Sequence, residues 1–324
     1  MDTLDLLRMN LLSPVVLAFV LGLIAVFVRS DLKFPPEVYA ALSIFLLLAI
    51  GMKGGLQLAK TPLSDVVKPV AVTLALGIIT PLVCYAVCRW FGRLDIVNSA
   101  ALAAHYGSVS AVTFAASLTY AQMRGMPYEG FMPALVAVLE VPAIVLAMLL
   151  ARRATPDEGA WGKMLHEVTT GRSVVLLIGG LVIGYVSSEE NVARVAPFFF
   201  DLFYGMLVLF LLDMGMVAGK RLKEVGRSGY FLVGLGVIVP LINGTLGVLL
   251  GILGGLSLGG TAILGVMAAS ASYIAAPAAV RVALPQANPA YYLTAAIAIT
   301  FPFNLTLGIP LIFELAIWLH PALK

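Results

Sequence analysis

From Leu12 to Leu319 the chain is a succession of apolar runs. Each run is about 20 residues long, the length of helix that crosses a bilayer core of about 30 Å. Lipid offers no partner to a backbone N–H or C=O, so a spanning segment must be a helix or a strand of a closed barrel. These runs are helix-length and lack strict alternation, which excludes an outer-membrane barrel. Only 11% of the 324 residues are charged and 61% are hydrophobic, which excludes a soluble domain of this size. The net charge is +3 and the basic residues sit between the runs, so no nucleic-acid partner is implied. Cys84 and Cys88 lie four apart inside a run without metal-ligand company, and are expected to be apolar filler. The segment before the first run lacks a basic stretch and a small-residue cleavage site, so that run is expected to be a retained span.

The runs predict an all-α membrane protein of ten spans: 12–29, 36–59, 66–91, 97–124, 130–151, 173–188, 196–219, 229–254, 258–284 and 290–319. One clearly hydrophilic connection, 152–172, separates a first five-span half (1–151) from a second (173–324). The halves repeat. Gly51-Met52-Lys53-Gly54-Gly55 answers Gly215-Met216-Val217-Ala218-Gly219, Pro81 answers Pro240, and Glu140-Val141-Pro142 answers Thr300-Phe301-Pro302. An odd number of spans per repeat turns the second half upside down, the inverted plan of secondary transporters. Thirteen of the twenty Lys and Arg fall in the connections after spans 1, 3, 5, 7 and 9. In a bacterial inner membrane that side should be cytoplasmic, with both termini outside the cytoplasm and the 152–172 linker facing it.

Two of the runs are interrupted at matching places. Ala103-Ala104-His105-Tyr106-Gly107-Ser108-Val109-Ser110-Ala111 and Ala268-Ala269-Ser270-Ala271-Ser272-Tyr273-Ile274-Ala275-Ala276-Pro277 are small, polar and unlike the helices around them. A paired interruption of this kind is the best sequence pointer to a transporter's binding site. Each second half-helix should begin just after the break, with Pro277 in a first turn where its missing N–H costs nothing. Two inverted helix N-termini would present free N–H groups and partial positive charge to one spot, which suits an anion. Ser108, Ser110, Ser270, Ser272 and Tyr273 add hydroxyls, and the small neighbours imply a small pocket. Ser108 and Ser272 are expected to be equivalent.

Charge inside a span is costly and usually functional. Glu140 and Asp213 are mid-span, candidates for cation ligation or a proton relay; a structural pair such as Lys53 with Asp213 weighs equally. Glu140, Thr113, Thr300 and Asn304 are the candidate sodium ligands, Asn304 for its hard carbonyl oxygen. His105 is expected to be a packed ring. Asn243-Gly-Thr245 and Asn304-Leu-Thr306 match a glycosylation acceptor but lie within spans, where it cannot be used. There is no Walker A, H-E-x-x-H or G-x-S-x-G pattern, so ATP-driven transport by this chain is excluded and an enzyme is not expected.

Gly51-Met52-Lys53-Gly54-Gly55, His105-Tyr106-Gly107-Ser108-Val109-Ser110-Ala111-Val112-Thr113-Phe114 and Leu139-Glu140-Val141-Pro142-Ala143 resemble the sodium-dependent bicarbonate transporter family known from cyanobacteria. The resemblance covers essentially all ten spans. It implies sodium-coupled bicarbonate uptake with sodium as the co-transported ion, a homotrimer, and a PII-like regulatory protein on the cytoplasmic face. It also implies an anion site at Gly107, Ser108, Val109, Ser110, Ser272, Tyr273 and Ile274, where the broken helices cross. The short 152–172 linker lacks the acidic inserts that would mark a regulator's dock. The alternatives are a symporter for another small organic anion, similar to the bile-acid–sodium group, and a sodium–proton antiporter using Glu140 and Asp213.

Overall fold

Prolines and capping side chains set where the helices begin. The computed structural model describes residues 8–152 and 160–323. Ser13 Oγ accepts from the Val16 amide ahead of α1 (Pro14–Phe27), and Pro36 opens α2 (Pro36–Leu58). After α3 (Leu63–Trp90), Asp95 caps α4 (Ile96–Gly107) by accepting from the Asn98 amide. Partial burial works against the Asp95 charge, but the bonds from Asn98 outweigh it and hold the carboxyl below its ordinary range. Ser110 caps α5 (Ala111–Met123), and α6 (Met132–Ala151) follows. The second half runs through α7 (Ala160–Thr170), α8 (Arg172–Val186), α9 (Glu189–Ala196), α10 (Phe203–Ser228), α11 (Tyr230–Leu253), α12 (Leu258–Ala269) and α13 (Ala275–Ala283). From α14 (Pro289–Leu293) the chain stays helical to α15 (Ile309–Leu323). Two π-helical stretches, Thr294–Thr300 and Asn304–Gly308, flank Pro302 on the way. The proline lacks the N–H that an α-helical ladder needs, and the wider turns absorb the fault.

No strand occurs among the described residues. Seven helical stretches are long and apolar enough to cross a membrane, eight if the pair α7–α8, bent by 49°, counts as one. Ten spans were expected from the sequence. The shortfall lies in α1, with 14 residues, α12, with 12, and, unless α7 is joined to it, α8, with 15. At 1.5 Å per residue α12 is about 18 Å long, short of a core of about 30 Å unless α13 continues it. The 152–172 linker is not featureless where it is described. α7 turns Met164 and Val168, one helical turn apart, inward against α13.

The helices pack in two groups that each draw on both halves. In the first, α1 lies along α10 and α8 lies along α2. Glycines let these backbones touch: a Cβ on Gly22 would come within 3.0 Å of Gly215 Cα, and one on Gly51 within 2.9 Å of Gly180 Cα. The second group is α3, α4, α6, α11, α12 and α15, with α5 packed on α12. Helix ends gather on two faces. On one, the Glu129 carboxylate accepts from the Ser257 amide (2.6 Å) and hydroxyl (3.1 Å), and Lys60 pairs with Glu189 (2.6 Å). On the other, the Asn288 amide donates to Asn98 Oδ1 (2.8 Å).

Candidate functional site

The two interruptions meet in the middle of the second group. The Ser110 amide donates to Ser270 Oγ (2.9 Å), and the Ser272 amide donates to the His105 carbonyl (2.8 Å). Each break therefore supplies a partner for the other's freed backbone, as lipid could not. Ser108 and Ser270 stand as C-caps of α4 and α12. Ser110 Oγ accepts from the Thr113 amide (3.1 Å) and Ser272 Oγ from the Ala276 amide (3.2 Å), so these two open the second half-helices. Ser110 is the N-cap of α5, whereas Ile274 holds that place for α13 and Ser272 reaches its first turn from two residues earlier; by the amides they accept from, Ser110 rather than Ser108 answers Ser272. Ser108 Oγ instead donates to the Glu140 carbonyl (3.2 Å), tying the break to α6.

Those bonds leave donors over. Among the described residues, no protein group accepts from the amides of Val109, Ala111 and Val112, or of Tyr273, Ile274 and Ala275. Ser108, Ser110, Ser270 and Ser272 are at most 4% exposed, and Val109 and Tyr273 are buried with them. Neither stretch contains Lys or Arg. Gly107 faces no open space: a Cβ there would lie 2.6 Å from Pro81 Cβ and 2.8 Å from Ala143 Cβ. It is a contact point between α3, α4 and α6. The void touching Ala111, Val112 and Ile274 is about 10 Å³, room for roughly one water. The donors are in place and the site around them is closed.

The four candidate sodium ligands fall into separate hydrogen-bonded settings. Thr113 Oγ1 donates to Ser110 Oγ (3.0 Å). Thr300 Oγ1 donates to the Gly236 carbonyl (2.8 Å) and lies 2.7 Å from the Tyr106 hydroxyl. Asn304 Nδ2 donates to the Ala269 carbonyl at the end of α12 (2.8 Å), while its buried Oδ1 has no partner. Glu140 is 3% exposed, with the Ser173 hydroxyl as its polar neighbour. No hydrogen bond or ion pair joins Glu140 to the other three among the described residues, and no cluster of three or more His, Cys, Asp or Glu forms there.

Asn243 was missed as a site residue. Its Nδ2 donates to the Tyr106 carbonyl in the last turn of α4 (3.2 Å), and its buried Oδ1 has no partner. Each first half-helix therefore ends against a carboxamide, Asn243 for α4 and Asn304 for α12. The signal was a polar residue three positions after Pro240 in an apolar run, passed over as an unusable glycosylation acceptor. Lys53 and Asp213 form no ion pair among the described residues. His105 is fully buried, donates from Nδ1 to the Ala101 carbonyl (2.7 Å) and stacks on Tyr292 at 4.5 Å, a packed ring.

A direct comparison with curated proteins finds no match. The model of the Na+-dependent bicarbonate transporter superfamily matches residues 14–317, which takes in every helix that builds the crossing. On that match the chain belongs to the Na+-dependent bicarbonate transporter superfamily.

Proposed function

We propose that the protein is a sodium-coupled bicarbonate symporter whose anion site is the crossing of the two interruptions. One observation carries this: six backbone amides, three from each break and all in buried or half-buried residues, have no protein acceptor among the described residues, and neither stretch contains Lys or Arg. A dehydrated monoanion satisfies such donors, and a sodium ion offsets its charge. Gly107, Ser108, Val109, Ser110, Ser272, Tyr273 and Ile274 would surround the anion. Asn304 Oδ1 and the Glu140 carboxylate, both with unfilled acceptor capacity, would serve the cation together with Thr113 and Thr300. Asn243 Oδ1 joins them as an unfilled acceptor.

The spans would number ten, with α4–α5 and α12–α13 each counted as one broken span and α1 as a short one. Alternating access would come from the second helix group moving against the first, since the closed crossing must open to one face at a time. The antiporter reading needs a relay from Glu140 to Asp213. Against it, the neighbours of Glu140 are Ser108 and Ser173, while Asp213 lies in the first helix group.

The test is equilibrium binding of bicarbonate to purified protein at a series of sodium concentrations. Coupling is reciprocal, so sodium should raise bicarbonate affinity by the same factor as bicarbonate raises sodium affinity. Bicarbonate binding that ignores sodium would remove the symport reading, and sodium binding without bicarbonate binding would favour the antiporter.

A further inference from the structure

A second cavity lies between the two helix groups and points at the crossing. It is about 130 Å³, enough for several waters. Ala49, Ile50 and Lys53 of α2 form one wall, and Ala115, Leu118, Thr119 and Gln122 of α5 form the facing one. The spacing on α5 is three, one and three residues, so a single helical face lines the cavity. Ile50 and Ala115 also line the small void that touches Ala111, Val112 and Ile274. The two spaces thus adjoin at Ile50 and Ala115, and the inner one touches Ala111 and Val112, whose amides are free.

Among the described residues lining the two spaces Lys53 is the one that carries charge, and its side chain is exposed. No Asp or Glu lines either space, and Lys53 makes no ion pair among the described residues. It sits five residues before the end of α2, so a lysine merely reaching for the membrane surface is the bland alternative. That alternative does not explain its place on a cavity wall opposite Gln122, where an intramembrane charge marks a pathway rather than an anchor.

We infer that Lys53 recruits the anion into an access vestibule between α2 and α5, which adjoins the inner void at Ile50 and Ala115. The inference rests on the anion-transport reading above and adds to it a residue outside the binding site. A charge in a low-dielectric cleft concentrates an oppositely charged substrate without fixing its geometry. Lys53 should therefore set the apparent affinity for bicarbonate and leave turnover and sodium dependence alone.

The test uses Gln122→Cys, exposed at the same cavity, since Cys84 and Cys88 are fully buried and silent to water-soluble reagents. In liposomes, its modification rate is compared for two membrane-impermeant thiosulfonates, one bearing a sulfonate and one a trimethylammonium. With Lys53 present the anionic reagent is favoured. In Lys53→Gln, or Lys53→Met should the first fold poorly, the anionic-to-cationic ratio falls by about tenfold at low ionic strength. Bicarbonate KM rises by a similar factor at unchanged kcat, and Lys53→Arg retains both properties. An unchanged labelling ratio overturns the inference, and so does a fallen ratio with an unchanged KM. If the parent protein moves no bicarbonate, the transport reading fails instead. The ratio then decides alone, a fall upholding the anion-attracting vestibule and no change removing it.

Discussion

The Ser110 amide reaches Ser270 Oγ across 2.9 Å, and through that bond the break in one half of the chain is closed by the break in the other. The return bond, from the Ser272 amide to the His105 carbonyl, makes the contact reciprocal. Two interruptions that would each be intolerable in lipid become one polar node inside protein. Among what the node leaves unsatisfied are three backbone donors at the start of each second half-helix, and those are what an anion would use.

Ser110→Ala and Ser272→Ala should behave alike. Each removes an oxygen that accepts from the first turn of a half-helix, a loss of about 1 kcal/mol in stability. Each also removes a hydroxyl able to donate to the anion, worth on the order of 1.5–3 kcal/mol for a charged acceptor. Bicarbonate affinity should fall by about tenfold to a hundredfold in either variant. Ser108→Ala should lose less, because its hydroxyl is engaged with the Glu140 carbonyl. Titration calorimetry on monodisperse variants checks the order; Ser108→Ala as the most damaging of the three would contradict it.

Glu140→Gln should raise the sodium concentration for half-maximal uptake and leave bicarbonate affinity at saturating sodium nearly unchanged. The carboxylate is buried without an ion pair, a position that a bound cation would relieve and a bound anion would aggravate. Asn304→Ala should move sodium dependence in the same direction. Sodium titrations of uptake measure both, and an unaltered curve in a folded Glu140→Gln protein removes Glu140 from the coupling.

Gly107→Ala is a test of the break as a packed joint. The added Cβ meets Pro81 and Ala143, so α4 must shift against α3 and α6. Overpacking of this kind costs about 1–3 kcal/mol. Thermal stability in detergent should fall and transport with it, whereas a Gly facing an empty pocket would accept Ala at no cost.

The linker helix reports orientation. A cysteine introduced at Ala160, at the start of α7, should react with an impermeant thiol reagent only from the cytoplasmic side. Labelling in intact cells from outside would reverse the assignment of the two faces.

Much of this was legible in the chain. Gly107-Ser108-Val109-Ser110 and Ser270-Ala271-Ser272 announced the breaks because small polar residues have no reason to interrupt an apolar helix in two matching places. Which serine does what was not legible. Ser108 and Ser110 differ only in whether the chain has yet turned into α5, and that depends on the bond to Ser270, 160 residues away. Asn243 was hidden for a similar reason, since its partner Tyr106 is remote in sequence. The π-helical stretches around Pro302 left no mark, because a proline in an apolar run equally suits a simple kink. α7 escaped notice because two apolar residues, Met164 and Val168, suffice to dock a short helix in an otherwise polar segment.

The most direct measurement is uptake of radiolabelled bicarbonate into proteoliposomes holding the purified protein, with an inward sodium gradient and with potassium in its place. Accumulation that requires the sodium gradient, and that collapses when Ser110 and Ser272 are both replaced by Ala, is the expected result. Bicarbonate uptake of equal size without sodium, or undiminished in the double variant, would contradict the account.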